Sequence, residues 1–263
     1  MPEGHTLHGL ARDQNLAFAG KQVRVTSPQG TFAAGAALID GRVLDGVTAH
    51  GKHLFADFGE RILHVHLGLF GKYTAGVGAP PEPRGALRMR WVADEHWTDL
   101  RGATACEVLD PAEVDTISAR LGPDPLRPRP RGEAAYARIS RSRAPIAGLL
   151  MDQSVLSGVG NVYRAEILFR HRIPPYLPGR ELTADRWNVL WSDLVSLMRA
   201  GLRSGRIVTT RPMDRERSRG PVRPTDAHYV YRRTGLPCRM CGTPIAMRLL
   251  AARKLYWCPT CQS

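Results

Sequence analysis

The sequence predicts an α+β protein of more than one domain: an N-terminal helix and β-sandwich, a helical domain, and a C-terminal metal-binding β-hairpin. Three observations indicate this. Short alternating segments separated by Gly and Pro fill residues 21–109, helical periodicity follows a Pro-rich stretch, and the last 26 residues hold two C-x-x-C units. At 263 residues the chain can form two modest domains that meet at a cleft, a common place for a site.

The N-terminal domain is predicted to begin with a helix and to continue as strands. Apolar residues recur at helical spacing between Thr6 and Phe18, which predicts an amphipathic helix that leaves residues 1–5 free. Strands are predicted over residues 22–25, 53–58, 61–67 and 87–92. Evenly spaced short strands are typical of a β-sandwich or barrel.

A Pro-rich and Arg-rich stretch, Leu121–Arg131, punctuates the chain and marks a domain boundary. We therefore predict a first domain over residues 1–115 and a linker over 116–130. A helical domain is predicted over 131–228, followed by a cysteine module over 229–263.

Helical patterns dominate the second domain. Helices are predicted over Ile146–Asp152 and Tyr163–His171, around the turn Ser157–Asn161, and an apolar stripe from Trp187 to Leu202 predicts a longer helix. The Arg-rich segment Arg203–Ala227 has few large apolar residues, so we expect a mobile loop there.

Charge and hydropathy narrow the functional class. The net charge is +13 and the isoelectric point about 10.2, which favours a polyanionic partner such as nucleic acid, although an Arg-rich codon bias is an alternative explanation. No apolar run approaches the ~20 residues that span a bilayer, and no leader pattern opens the chain. We therefore expect a cytoplasmic protein.

The cysteines form the strongest local motif. Cys238, Cys241, Cys258 and Cys261 are spaced C-x2-C-x16-C-x2-C, as in a hairpin that binds one tetrahedral Zn2+. Four thiolates fill the coordination shell, so the zinc is predicted to be structural, and no organic cofactor is predicted. Cys106 stands apart and is interpreted as a small buried apolar residue.

Two further motifs have both a functional and a structural explanation. The run Arg253–Trp257 before Cys258 suits a hairpin tip that reaches phosphates or a DNA groove, or else Trp257 packs on the metal site. The turn Gly158–Asn161 offers backbone N–H groups to a phosphate, yet glycines at a helix corner more often serve tight packing.

The N-terminus and one lysine are candidates for covalent chemistry. Removal of Met1 would expose the amine of Pro2, whose reference pKa of ~8 makes it a better nucleophile than a lysine, with Glu3 adjacent as proton donor. Many proteins begin Met-Pro without such a role. Lys52 is one of four lysines, which indicates either a compact titratable ammonium or an ordinary surface residue. His64 and His66 share one strand face, where buried, hydrogen-bonded histidines are expected more often than a metal site.

Together these motifs resemble the bacterial formamidopyrimidine-DNA glycosylase and endonuclease VIII family. The matching residues are Pro2–Gly4, Gly51–Lys52, Leu121–Leu126, Leu150–Gln153, Gly158–Tyr163, Val230–Cys238 and Trp257–Gln262. The resemblance runs from end to end in the family's order and spacing. It implies a β-sandwich, a helix-two-turn-helix domain and a zinc finger, with damaged double-stranded DNA bound between domains by a monomer, and it leaves single-stranded or bubble DNA open.

The resemblance also implies catalytic roles. Pro2 corresponds to the nucleophile that attacks C1′ of the damaged nucleotide, and Glu3 to its acid/base partner. Lys52 corresponds to the proton donor of β-elimination, and Arg253 to the finger arginine that contacts phosphate and serves δ-elimination. A bifunctional DNA glycosylase and AP lyase of base excision repair is therefore expected.

Several DNA contacts are expected on the same basis. Asn161 corresponds to a phosphate-contacting residue, and Arg120 matches another DNA-contacting position. Leu69 and Phe70 lie where the family keeps the residues that fill the void left by a flipped base. Arg101 stands where the purine branch has an intercalating loop.

Two features bear on the preferred lesion. The opening Pro2–Gly4 resembles the endonuclease VIII branch, and Asp99–Gly102 keeps an Arg but lacks the Phe of the oxidised-purine branch. Both features favour oxidised pyrimidines. The alternatives are an oxidised-purine glycosylase of the same fold and a non-catalytic zinc-finger DNA-binding protein.

Overall fold

The computed structural model describes residues 2–263, which form two compact units. The first unit ends at Arg120 and the second begins at Leu121. Within residues 2–263, no helix has both the length and the apolar character needed to cross a membrane. The domain boundaries at 115, 130 and 228 stay predictions, and helix α3 (Pro111–Ala119) runs through the first of them.

The first unit is a β-sandwich with a leading helix, as the sequence predicts. Two antiparallel sheets have the strand orders β2-β1-β7-β8-β6 and β3-β4-β5-β9. Its elements in chain order are α1 (Gly4–Phe18), β1 (Gln22–Thr26), α2 (Ala33–Ile39), β2 (Arg42–Val43), β3 (Gly46–His50), β4 (His53–Asp57), β5 (Ile62–His66), β6 (Lys72–Val77), β7 (Leu87–Ala93), β8 (His96–Arg101), β9 (Ala105–Leu109) and α3.

Paired strand residues and one helix face build the core of this unit. Leu54 pairs with Val65 across β4 and β5, and both side chains are buried in the core that also takes in Leu7 of α1. Phe18 meets Trp91 edge to face at 5.7 Å between ring centroids. The helix is thereby fixed against the sheets.

The second unit is helical and ends in a hairpin. Its longest helix has the predicted apolar stripe buried, begins at the capping residue Thr183 and ends where Gly205 takes φ +67°. The elements are α4 (Glu133–Ile139), α5 (Ile146–Leu149), α6 (Asn161–Arg170), α7 (Ala184–Ser204), β10 (Ala246–Leu250) and β11 (Arg253–Trp257).

Several predicted boundaries were wrong. Helix α1 begins at Gly4, so Pro2 and Glu3 rather than residues 1–5 precede it. Helix α5 ends before Asp152, because that carboxylate accepts hydrogen bonds from the N–H and hydroxyl of Ser154 and so favours a turn. The short apolar run of α2 was missed.

The segment Arg203–Ala227 contains short turns and is held to α6, and its predicted mobility stays a prediction. Its first residues complete α7, and short 3-10 turns follow at Pro212–Asp214 and Pro224–Asp226. Glu166 of α6, fully buried, accepts a 2.5 Å hydrogen bond from the Thr209 hydroxyl and also accepts bonds from backbone N–H groups that follow the segment. A buried carboxylate requires such donors, and it fastens both ends of the segment to α6.

Candidate active site and zinc site

Pro2 and Glu3 stand at the start of α1. Glu3 is the N-cap residue, its carbonyl accepts a 2.8 Å hydrogen bond from the N–H of Thr6, and its side chain is fully buried. A helix N-terminus favours a negative charge, which suits a carboxylate there. Burial lowers the pKa of His5 to about 4, so this imidazole is neutral at pH 7. A buried carboxylate, the predicted acid/base group, thus adjoins the half-buried Pro2, the predicted nucleophile.

Lys52 lies in the two-residue turn that joins β3 to β4. His50 and His53 pair across this turn, and Gly51 takes φ +59°, a conformation that glycine adopts without strain. Helix α1 is fastened to the start of β3 because the side chain of Asn15 both donates to and accepts from the backbone of Val47, at 2.7 Å each. Pro2, Glu3 and Lys52 therefore belong to one unit and to elements that pack together.

A chain of histidines lies beside this turn. His53 Nδ1 is 2.8 Å from His64 Nε2, and His64 Nδ1 is 2.9 Å from Glu107 Oε1. Burial is the main cause that lowers the pKa of His53 to about 3, and it also lowers the pKa of His66. The expectation of a buried, hydrogen-bonded histidine is confirmed for His64. His53 is therefore neutral at pH 7 beside Lys52.

The two candidate wedge residues are at the tip of the turn between β5 and β6. Leu69 is 46% exposed and Phe70 is 85% exposed. The turn is tight: Gly68 takes φ +64°, and a Cβ on Gly71 would come within 2.3 Å of the Leu67 carbonyl oxygen. A rigid turn that exposes two large apolar side chains suits insertion into a base stack, and the wedge role stays a prediction.

Arg101 is occupied by contacts within its own sheet. Its guanidinium donates at 3.0 Å to Asp99, a fully buried carboxylate that also accepts two hydrogen bonds from Arg90, at 2.7 and 3.0 Å. These three residues form the Asp99 network. Arg120, in contrast, is exposed at the C-terminal end of α3. The DNA contacts predicted for Arg101 and Arg120 stay predictions.

The four cysteines converge in the second unit. Their Sγ atoms all lie within 4.8 Å of one another, with 3.9 Å between Cys238 and Cys261 and 3.4 Å between Cys241 and Cys258. Tetrahedral zinc with Zn–S bonds of ~2.3 Å requires sulfur atoms about 3.8 Å apart, so the cluster fits this ion. Hydrogen bonding from Thr243 lowers the pKa of the Cys241 thiol to about 6, which favours the thiolate that zinc binds. The zinc is structural, because four protein ligands complete its shell.

The aromatic residues of the finger divide between two cores. Tyr256 packs with the metal-site cysteines Cys238 and Cys258, whereas Trp257 packs against the helical core and meets Tyr176 edge to face at 5.9 Å. The alternative that Trp257 packs on the metal site was therefore wrong. Successive side chains of a strand point to opposite faces, so Tyr256 faces the cysteines and Trp257 faces the helical core.

Arg253 is exposed at the hairpin tip. It pairs with Leu250 across a two-residue turn in which Ala251 and Ala252 take φ +48° and +57°. Gly or Asn is preferred in such a turn, because a positive φ strains the backbone of alanine. Backbone strain of this kind concentrates at functional sites. The adjacent residue, Lys254, is held through its backbone carbonyl.

Asn161 supplies one of the bonds to that carbonyl. Its Nδ2 donates to the Lys254 oxygen at 2.9 Å, and the fully buried Arg164 donates to the same oxygen at 3.1 Å and to the Asn161 Oδ1. Gln153 stabilises the turn before α6, because its side-chain oxygen accepts a 3.0 Å hydrogen bond from the Gly158 N–H. Asn161 and Arg253 are therefore joined through the finger backbone. The sequence analysis did not predict a role for Arg164, although its position one turn after Asn161 on α6 was a usable signal.

The chain matches three described protein families. It matches the formamidopyrimidine-DNA glycosylase N-terminal domain over residues 1–106, the formamidopyrimidine-DNA glycosylase H2TH domain over 121–212, and the zinc finger found in FPG and IleRS over 235–263.

Its curated relatives include both branches of one group. Endonuclease 8 1 of Mycobacterium tuberculosis (strain ATCC 25618 / H37Rv) is 52% identical over 273 residues, which covers 100% of each chain. The formamidopyrimidine-DNA glycosylase of Thermus thermophilus is 33% identical and covers 86% of this chain and 85% of its own. The solved structure of MutM (Fpg) from Thermus thermophilus superposes with a TM-score of 0.80 at 28% identity, covering 99% of this chain and 98% of that chain.

Proposed function

The chain belongs to the formamidopyrimidine-DNA glycosylase and endonuclease VIII family, and from that premise we propose a bifunctional DNA glycosylase and AP lyase that removes oxidised bases. The observation that carries the proposal is the pairing of Pro2 with a fully buried Glu3 at the start of a helix, in a chain 52% identical to an endonuclease 8 over its whole length. Its partner is damaged double-stranded DNA, whose negatively charged phosphates attract a protein with a net charge of +13.

The first step uses the amine that removal of Met1 exposes. Met1 itself lies outside the described residues. The nitrogen of Pro2 attacks C1′ of the damaged nucleotide, a new C–N bond forms, and the electrons of the glycosidic bond leave with the base. Glu3 transfers the protons that the sugar and the leaving base require. The nitrogen of Pro2, after losing its proton, then uses its lone pair to expel O4′ from C1′, and O4′ takes up a proton from Glu3. The product is an iminium between Pro2 and the opened sugar.

Strand cleavage follows from the same intermediate. The iminium withdraws electrons and acidifies the C2′ hydrogen, so loss of that proton expels the 3′ phosphate without a metal ion. Lys52 is the proton donor of this β-elimination, and His53 beside it is neutral because burial lowers its pKa to about 3. Arg253, exposed at the finger tip, binds the phosphate and assists δ-elimination.

Oxidised pyrimidines are the proposed substrates, with oxidised purines as the alternative. Two features support the pyrimidine preference. The 52% relative is named an endonuclease 8, whereas the formamidopyrimidine-DNA glycosylase above is 33% identical. Arg101 lies in the segment that matches the intercalating loop of the purine branch, but here it is part of strand β8 and its guanidinium bonds Asp99. We therefore assign the wedge role to the exposed side chains of Leu69 and Phe70. We also propose a monomer located in the cytoplasm.

Borohydride trapping tests the covalent mechanism. The Met1-processed protein, mixed with a thymine-glycol duplex and borohydride, should form a stable protein–DNA adduct, because the reductant converts the iminium to an amine. Pro2→Gly and a form that retains Met1 should trap at least 10-fold less. Pro81→Gly, at an exposed loop position, is the matched control and should trap like the unaltered protein. No adduct with processed protein that still binds the duplex would support the non-catalytic alternative.

A substrate comparison tests the lesion preference. Single-turnover excision of thymine glycol and of 8-oxoguanine should be measured on duplexes of otherwise identical sequence. We expect faster excision of thymine glycol, and equal or slower excision would favour the purine alternative.

A further inference from the structure

Two neighbouring turns of the first unit meet beside the candidate wedge side chains. The wedge turn, residues 67–71, joins β5 to β6 and carries both of them. The support loop, residues 102–104, joins β8 to β9. The N–H of Thr104 donates a 2.9 Å hydrogen bond to the carbonyl of His66, the last residue of β5. The support loop is therefore attached to the strand end from which the wedge turn starts.

Thr104 occupies the space that a side chain at position 68 would need. A Cβ on Gly68 would overlap Thr104 Oγ1 and would lie 3.1 Å from Thr104 Cβ. Rotation about the Cα–Cβ bond of Thr104 moves the hydroxyl but leaves Cβ in place, so this contact stays tight. Gly68 also takes φ +64°, which glycine adopts without strain. The side chain of Thr104 thus packs directly against the backbone of the wedge turn.

The other end of the support loop makes a second close contact with the wedge turn. A Cβ on Gly102 would lie 3.1 Å from the carbonyl oxygen of Phe70. Between the two contacts, Ala103 is buried in the core of the sandwich. The residue before the loop, Arg101, is held by the Asp99 network. The support loop is therefore fixed by its own contacts, and it meets the wedge turn at both of its ends.

An exposed wedge depends on its backbone for its position. Leu69 and Phe70 are exposed, so packing of their own side chains gives them little support. A loop that must become ordered during binding loses free energy to that ordering, and a loop that is already ordered avoids this cost. A wedge turn held by a neighbouring loop therefore fills the void left by a flipped base more readily than a free turn.

We propose that Thr104 is a positioning residue for the wedge: it holds the wedge turn in the conformation that fills the void in the base stack. Thr104 acts through Leu69 and Phe70 and needs no contact of its own with DNA. The inference rests on the proposed function, because the wedge that Thr104 positions is part of that function. It also accounts for glycine at position 68, since Thr104 already takes the volume of a side chain there.

An exchange of volume across the contact tests the proposal on the full-length protein. Gly68→Ala places a methyl group where Thr104 lies, and Thr104→Gly removes the support. In the double variant, the methyl group of residue 68 occupies the vacated space. Because residues in contact do not act additively, single-turnover excision of thymine glycol from a duplex should be ~10-fold slower in Gly68→Ala, ~5-fold slower in Thr104→Gly, and within ~2-fold of the unaltered rate in the double variant.

A spectroscopic signal separates wedge insertion from general damage to the protein. With 2-aminopurine next to the thymine glycol, the fluorescence change that accompanies wedge insertion should be slower in both single variants and restored in the double variant. Gly59→Ala is the matched control, because Gly59 takes φ +82° at an exposed turn with open space around an added Cβ. This variant has the same kind of backbone strain without the overlap and should behave like the unaltered protein.

The outcomes distinguish the positioning role from the proposed function. Equal rates for Gly68→Ala and Gly59→Ala, or a double variant no faster than Gly68→Ala, would overturn the role of Thr104. If Gly68→Ala does not fold by circular dichroism, the support is tested at residue 104 alone: Thr104→Val keeps the branched side chain and should excise normally, and a Thr104→Gly protein equally fast would overturn the proposal. Absence of excision by the unaltered protein would refute the proposed function, and the positioning role with it.

Discussion

The substitution Glu166→Gln is expected to destabilise the second unit strongly. Oε2 of this fully buried residue accepts from the Thr209 hydroxyl at 2.5 Å and the Tyr229 N–H at 2.7 Å. Oε1 accepts from the N–H groups of Val230 and Tyr231 at 2.8 Å each. A carboxylate has acceptors only, so all four donors are satisfied.

The magnitude follows from this geometry. A glutamine keeps one oxygen and replaces the other with an NH2 group, which has no acceptor to offer. The least costly orientation turns the NH2 group towards Thr209, because that hydroxyl can donate instead to the Ala227 carbonyl at 3.1 Å and only the Tyr229 N–H loses its partner. Hydrogen bonds to charged groups contribute ~1.5–3 kcal/mol each, so we expect a loss of about 1.5–3 kcal/mol. This is a sizeable part of the ~5–15 kcal/mol that stabilises a typical domain.

Urea unfolding followed by tryptophan fluorescence measures the loss, and amide hydrogen exchange at Tyr229 shows whether it is local. We expect faster exchange at this amide together with the fall in unfolding free energy. Glu60→Gln, at an exposed turn of the first unit, is the matched control and should change stability by less than ~0.5 kcal/mol. A Glu166→Gln protein as stable as this control would refute the role given to the carboxylate.

Three further changes have defined outcomes. Asp99→Asn should cost about 3–5 kcal/mol in urea unfolding, because it leaves the buried arginine of the Asp99 network without its counter-charge. Cys258→Ala or chelation should release zinc, measured by metal analysis, and unfold the finger, whereas Cys106→Ala should retain the metal. Although burial opposes the shift, hydrogen bonds from a histidine and an arginine lower the pKa of Asp193 to about 2. The contribution of Asp193 to the free energy of unfolding is therefore present above pH ~4 and is lost as the pH falls towards 2. In an acid unfolding titration, Asp193→Asn should lack the loss of stability in this pH range.

Much of the fold follows from patterns that are local in the sequence. Strand β1 alternates, with Val23 and Val25 buried between exposed neighbours, and the stripe of α7 repeats at helical spacing. Helix α2, with the sequence AAGAALI, was missed because a short apolar run without charges has no periodicity that separates helix from strand. Tertiary burial of Ile39 decides its structure.

The site was predictable to a different degree. Motif spacing identified the four cysteines that converge, and motif order predicts Pro2 and Glu3 as the catalytic pair, because metal and covalent chemistry require particular residue types. The partners of Asn161 were not predictable, since its hydrogen bond reaches Lys254, far along the chain. Such pairings are set by how the helices and the hairpin pack, and no local pattern encodes them.

The contacts of Asn161 also show how the finger and the helical domain act as one element. The Lys254 carbonyl accepts from both Asn161 and Arg164, and the next side chain back, Arg253, is the proposed phosphate ligand. A change at Arg164 would therefore displace Arg253 without touching it, because two hydrogen bonds fix the strand from which that guanidinium projects. The buried arginine thus belongs with the residues that position the finger, and its effect on strand cleavage should exceed its effect on zinc binding.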